Sequence, residues 1–113
     1  MPVTMYHNPR CNTSRKTLAL LREKGVEPTI IEYLKTPYTT AQLKKLLGQL
    51  KMPASKLVRK KEAATAGIDP KALTEEALIA AMVAHPIIVE RPIVVSGQKA
   101  ALGRPPEAVL AVL

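Results

Sequence analysis

Neither phenylalanine nor tryptophan occurs among the 113 residues, and three tyrosines are the whole aromatic complement. The core must therefore be aliphatic, and stacking on nucleic-acid bases has only Tyr6, Tyr33 and Tyr38 to draw on. Histidine is scarce too, with His7 and His85 far apart in sequence. Together with the single cysteine, Cys11, they form no ligand cluster of the spacing a zinc site needs, so no metal is expected. One thiol also excludes an internal disulfide. The chain lacks any run of about 18 apolar residues, which excludes a membrane-spanning helix. Its N-terminus shows no basic segment followed by an apolar stretch and a cleavage site, so a reducing, cytoplasmic setting is expected. Acidic residues are few: nine Asp and Glu against seventeen Lys and Arg leave a formal charge of +8. Such a field concentrates anions. Without aromatic interleaving or a reading helix, it argues against nucleic acid as the partner. Most of the mid-chain lysines, from Lys44 to Lys71, read as solvated helix faces.

What is present is a series of short apolar segments with firm breaks. Residues 3–6 read as a strand, and Pro9 interrupts it. From Asn12 onward Leu18, Leu21 and Thr17 fall at helical spacing, with Gly25 as the C-terminal stop. Residues 29–34 read as a second strand between Pro28 and Pro37. Strand, crossover helix and strand in so short a span imply a right-handed parallel βαβ unit. Thr39 or Thr40 caps a helix striped by Leu43, Leu46, Leu47 and Leu50. Pro53 opens a short segment with Leu57 and Val58, followed by the polar run Arg59-Lys60-Lys61-Glu62 and a loop holding Gly67 and Pro70. Thr74, with Glu75 and Glu76 behind it, starts another helix that ends before Pro86. Residues 93–95 and 100–102 read as a hairpin around Ser96-Gly97-Gln98. Pro105-Pro106-Glu107 opens a last helix, whose Val109, Leu110, Val112 and Leu113 are expected to pack on the sheet. The order is the thioredoxin-like one. It predicts an α/β fold with a mixed four-stranded sheet, βαβ then ββα, and a helical block inserted over about residues 39–85 of a single domain, 1–113.

Cys11 stands where the first strand breaks and the first helix begins. An ordinary thiol, with a pKa near 8.5, is only slightly ionised at neutral pH. A helix N-terminus stabilises the thiolate, and Arg10, Arg15 and a protonated His7 can add to that. A depression of two units needs roughly 2.7 kcal/mol, within reach of such a site. The same features cradle an oxyanion. The polar neighbours Asn8, Asn12, Thr13 and Ser14 argue against burial in a core. Ser14 occupies the place of a dithiol motif's second sulfur, so an oxidised or covalent state at Cys11 must be resolved by an outside thiol such as glutathione. Thr17 stands where a Cys-x5-Arg phosphatase pattern has arginine, which argues against phosphoester hydrolysis.

The segment His-Asn-Pro-Arg-Cys-Asn-Thr-Ser-Arg-Lys-Thr-Leu at 7–18 resembles the active-site stretch of the ArsC-type, glutaredoxin-coupled arsenate reductases. Matching stretches follow in order: Glu-Pro-Thr-Ile-Ile-Glu-Tyr-Leu at 27–34, Leu-Val-Arg-Lys-Lys-Glu at 57–62, Glu-Arg-Pro-Ile-Val-Val at 90–95 and Leu-Gly-Arg-Pro-Pro-Glu at 102–107. The resemblance implies that Cys11 attacks arsenate and that Arg59, Arg91 and Arg104 hold the oxyanion. It implies a substrate-binding loop of His7, Asn8, Asn12, Thr13, Ser14 and Arg15, in which His7, Asn8 and Ser14 orient the thiolate. No bound cofactor is implied; glutathione is the co-substrate, and glutaredoxin cleaves the resulting mixed disulfide. A cis-proline faces the active cysteine in thioredoxin-like proteins, and Pro92 stands at the matching place, which would carry Arg91 beside Cys11. Two other functions fit the residues. One is a monothiol, glutathione-dependent transferase. The other is a non-catalytic regulator of the Spx type that binds RNA polymerase, although its usual two-cysteine switch is denied by Ser14.

Overall fold

Alternation decides the centre of the sheet. In β1 (Val3–His7), Val3, Met5 and His7 are buried while Thr4 and Tyr6 are half-exposed, the period of two expected of a strand with one covered face. The structure, a computed structural model, describes residues 2–113. It divides into two compact units: the chain as far as Thr36 together with Arg91–Leu113, and Pro37–Glu90.

In the first unit β1 runs parallel to β2 (Thr29–Glu32) and antiparallel to β3 (Ile93–Ser96), which pairs in turn with β4 (Lys99–Leu102). The strand order is β2-β1-β3-β4. This is the mixed, thioredoxin-like sheet predicted from the element order. The crossover between the parallel strands is α1 (Asn12–Glu23), ended by Gly25 at φ 78°, a left-handed position that glycine adopts without steric cost. Met5, Leu21, Val94 and Val109 are fully buried in one cluster against which Ile30 and Ala101 pack. Each such side chain contributes about 1.5–3 kcal/mol by leaving water.

Two elements of this unit differ from the sequence expectation. β2 stops at Glu32 rather than running to residue 34. The N–H groups of Lys35 and Thr36 both donate to the Glu32 carbonyl at 2.9 Å, and Tyr33 turns fully inward. The last element is a 3₁₀ segment (Pro106–Val112) in place of an α-helix. Its buried residues are Val109 and Val112, while Leu110 and Leu113 are exposed. A period of three places 109 and 112 on one face and turns 110 and 113 away from it, so only the two valines pack inward.

Gly103, just after β4, donates its N–H to the Pro92 carbonyl at 2.9 Å. A β-carbon there would lie 2.7 Å from Pro92 Cγ and 2.8 Å from Thr17 Oγ1. Thr17 cannot yield easily, since it is fully buried and its hydroxyl donates to the Thr13 carbonyl at 2.8 Å. Gly103→Ala is therefore expected to destabilise the protein by about 1–3 kcal/mol, read as a lower urea midpoint with an unchanged slope.

The second unit is helical. α2 (Thr40–Leu50) starts with a capping box: Thr39 Oγ1 accepts from the Gln42 N–H at 3.1 Å and Gln42 Oε1 from the Thr39 N–H at 2.9 Å. α3 (Ala54–Leu57) follows Pro53. The polar run after Val58, expected only as polar sequence, forms the start of α4 (Lys60–Thr65), with Ala63 as its one buried residue. α5 (Glu75–Ala84) is capped by Thr74 Oγ1, which accepts from the Ala77 N–H at 3.1 Å.

Candidate active site

Cys11 is held by backbone on both sides. Its N–H donates to the Asn8 carbonyl, and its carbonyl accepts from the Arg15 N–H, each at 3.0 Å. It is thus the N-cap of α1, in an extended conformation (φ −93°, ψ 123°). The neutral thiol makes no capping hydrogen bond, but the amide N–H groups of Ser14 and Thr13 stabilise a charge on the sulfur. Burial of the half-exposed residue pushes its pKa up. The Ser14 N–H, the hydrogen bond and charge of Arg91, and the Thr13 N–H outweigh burial and hold the thiol below its ordinary range. Arg104 adds Nη2 at 3.6 Å from the sulfur.

Both arginines come from the β3–β4 hairpin. Ile93 pairs with Leu102, so the residues flanking the hairpin's open end lie opposite one another. Two bonds then tie the flanks together: Gly103 to Pro92, and Arg104 Nε to the Arg91 carbonyl at 2.8 Å. The Arg91–Pro92 bond is cis, as the resemblance implied; the Arg104–Pro105 bond is cis as well, which was not anticipated.

Beneath the sulfur lies a buried polar knot. His7 Nδ1 and Ser14 Oγ are 2.6 Å apart, and the Asn8 N–H donates to the same oxygen at 3.1 Å. Asn8 Oδ1 accepts from the Arg10 N–H at 3.0 Å. Burial lowers the His7 pKa; Glu32 opposes this, while Arg22 and Arg15 reinforce it. A neutral ring with its proton on Nε2 lets Ser14 donate to Nδ1 while accepting from Asn8. His7 is therefore not the protonated helper that the sequence reading allowed.

Nor do the cations nearest in sequence do what was expected of them. Arg10 and Arg15 are exposed. Arg15 donates to the Pro9 carbonyl at 3.0 Å and makes a very short bond to Asn12 Oδ1. The cations that act on the sulfur come from the flanks of the hairpin instead.

The first unit thus brings together Cys11, Arg91, Arg104 and the loop of His7, Asn8, Thr13 and Ser14. Arg59 belongs to the second unit. There its Nε donates to Glu62 at 2.8 Å and its Nη1 to Glu90 at 2.7 Å, all three side chains about three-quarters buried. Burial lowers the Arg59 pKa, but the two carboxylates more than reverse that, so its charge is secure. These acidic partners were missed from sequence. Glu62 lies one helical turn from Arg59 and was findable; Glu90, next to Arg91, carries no local signal. Among the described residues, no group of His, Cys, Asp and Glu side chains is placed to hold a metal ion, and no helix is long and apolar enough to cross a membrane.

A model of the ArsC family matches residues 6–112. YfgD, an uncharacterized protein of Escherichia coli (strain K12), is 51% identical over 98% of this chain and 96% of its own length. An arsenate reductase of the same organism is 43% identical over 98% of this chain and 80% of its own. Among solved structures, an arsenate reductase from Vibrio cholerae superposes with a TM-score of 0.90 at 44% identity, covering 100% of this chain and 98% of that one.

Proposed function

Because the chain belongs to the ArsC family, we propose that it reduces arsenate to arsenite with Cys11 as the nucleophile. One observation carries the reading: a sulfur at a helix N-terminus is held by the guanidinium groups of both Arg91 and Arg104. Those groups suit a tetrahedral oxyanion as well as a thiolate, since a guanidinium donates planar, paired hydrogen bonds and stays charged. Arg59 is carried over as a third such cation on the resemblance of residues 57–62.

The Cys11 thiolate attacks pentavalent arsenic, an As–S bond forms, and one oxygen leaves as water. Glutathione displaces a second oxygen through its own sulfur. The two sulfurs then bond to each other, and the electron pair they release reduces arsenic to the trivalent state. Two thiols have become one disulfide, which balances the two-electron reduction. Glutaredoxin removes glutathione from Cys11 by thiol–disulfide exchange. Ser14 supports the need for an outside thiol, because residue 14 offers no second sulfur. The same reading takes residues 1–113 as one functional domain working in the cytoplasm, where such reductants are plentiful.

The test is steady-state arsenite formation from arsenate with glutathione and glutaredoxin. Turnover that needs both reductants is expected. Undetectable arsenite with the complete couple would remove the proposal.

A further inference from the structure

A cleft of about 320 Å³ opens beside the cysteine loop, at the ends of β1 and β2. Its floor holds the buried His7 and Asn8; around it stand Arg10, Glu32, Leu34 and Lys35. Arg10 directly precedes Cys11. Only the backbone N–H of Arg10 is engaged, by Asn8; its exposed guanidinium has no partner among the described residues. Leu34 is one of the few large apolar side chains left exposed. Glu32 and Lys35 form a loose ion pair at 3.6 Å, with the lysine side chain 78% exposed, so either group can exchange its partner at little cost. Two cations, a carboxylate and an apolar surface do not suit a bare oxyanion, which has no use for Glu32 or Leu34. They suit a small peptide carrying both signs of charge.

We propose that this cleft docks the second thiol of the reaction: a small, carboxylate-bearing thiol peptide with a free amino group. Arg10 and Lys35 hold its carboxylates, Glu32 its ammonium group, and Leu34 covers its methylene stem. The placement rests on the reading of Cys11 as a thiol resolved from outside. It needs no arsenate to be tested. In thiol–disulfide exchange the Cys11 thiolate attacks a symmetrical disulfide, the S–S bond breaks, a Cys11 mixed disulfide forms and one thiolate leaves.

The experiment compares the rates at which Cys11 acquires each adduct, by intact mass, from glutathione disulfide and from neutral hydroxyethyl disulfide. The ratio of the two rates cancels any change in the sulfur itself. Arg10→Glu and Lys35→Glu should each lower that ratio about fivefold relative to Lys99→Glu, a charge change of the same size away from the cleft. Glu32→Gln separates docking from general attraction. Loss of a negative charge would raise the ratio if only the field mattered, whereas a held ammonium group requires it to fall. Equal ratios for the three reversals, or a rise in Glu32→Gln, would overturn the docking site. A wild-type sulfur inert to both disulfides would overturn the thiol chemistry along with it. Absence of arsenate turnover with the ratios as expected would overturn the substrate alone.

Discussion

Cys11→Ser is expected to leave no detectable arsenite formation, a loss on the order of 10⁴-fold or more. The donors around residue 11 lower the pKa of a thiol that begins in an accessible range. They cannot ionise an alcohol at neutral pH. Serine also fails at the second step, because its oxygen cannot pair with glutathione sulfur to release the electrons that arsenic must receive. A small residual activity would therefore be as informative as a large one, since it would mean that the electrons leave by a route not involving residue 11. Arsenite formation at saturating glutathione and glutaredoxin, with circular dichroism as the check on folding, measures this. The substitution should also alter stability with a defined sign. The folded thiol ionises at lower pH than the unfolded chain's, so its contribution is complete above the unfolded pKa and is lost as pH falls through the folded one. Urea midpoints of wild type and Cys11→Ser should accordingly converge toward acid pH and separate toward alkaline pH.

Arg91→Ala is the second large effect. Arg91 acts on the sulfur both by a hydrogen bond and by its charge, while burial pulls the other way. Its removal should raise the midpoint of the pH profile for iodoacetamide alkylation and slow alkylation on the acid side of that midpoint. Turnover should fall further, by roughly 10²- to 10³-fold, because the same guanidinium is lost to the oxyanion. Arg91→Lys separates the two roles. A lysine keeps the charge and should restore much of the alkylation profile, but it lacks the planar fork and should recover little turnover. An unchanged alkylation midpoint in Arg91→Ala would show that the thiolate is held by the helix start and Arg104 without Arg91.

The parts of this fold that were legible in the sequence are those in which one physical signal dominates. Met5 is buried in the alternating strand β1, Leu43, Leu46 and Leu47 fall on one helical face, and Thr39 and Thr74 carry their caps within three residues. The final segment was misread because Val109, Leu110, Val112 and Leu113 satisfy a helical period as well as a threefold one, and only packing chooses between them. At the site the residue types were legible but their geometry was not. Arg10 and Arg15 are adjacent to Cys11 in the chain, yet long side chains at the start of a helix extend into water or bond locally, as Arg15 does with Pro9 and Asn12. Arg91 and Arg104 were recognisable only by resemblance, since strand pairing, which no local pattern encodes, brings them to the sulfur.

That pairing makes the hairpin a gauge. Four residues of β3 and four of β4, closed by Gly97 and Gln98, set how far each flank reaches. A single residue added at the tip must either bulge out there or slip one strand by about 3.4 Å, which also turns its side chains to the opposite face. The spacing of the two cations is thus guarded by the end of the sheet farthest from them, where a change of one residue is either absorbed as a bulge or felt at the sulfur.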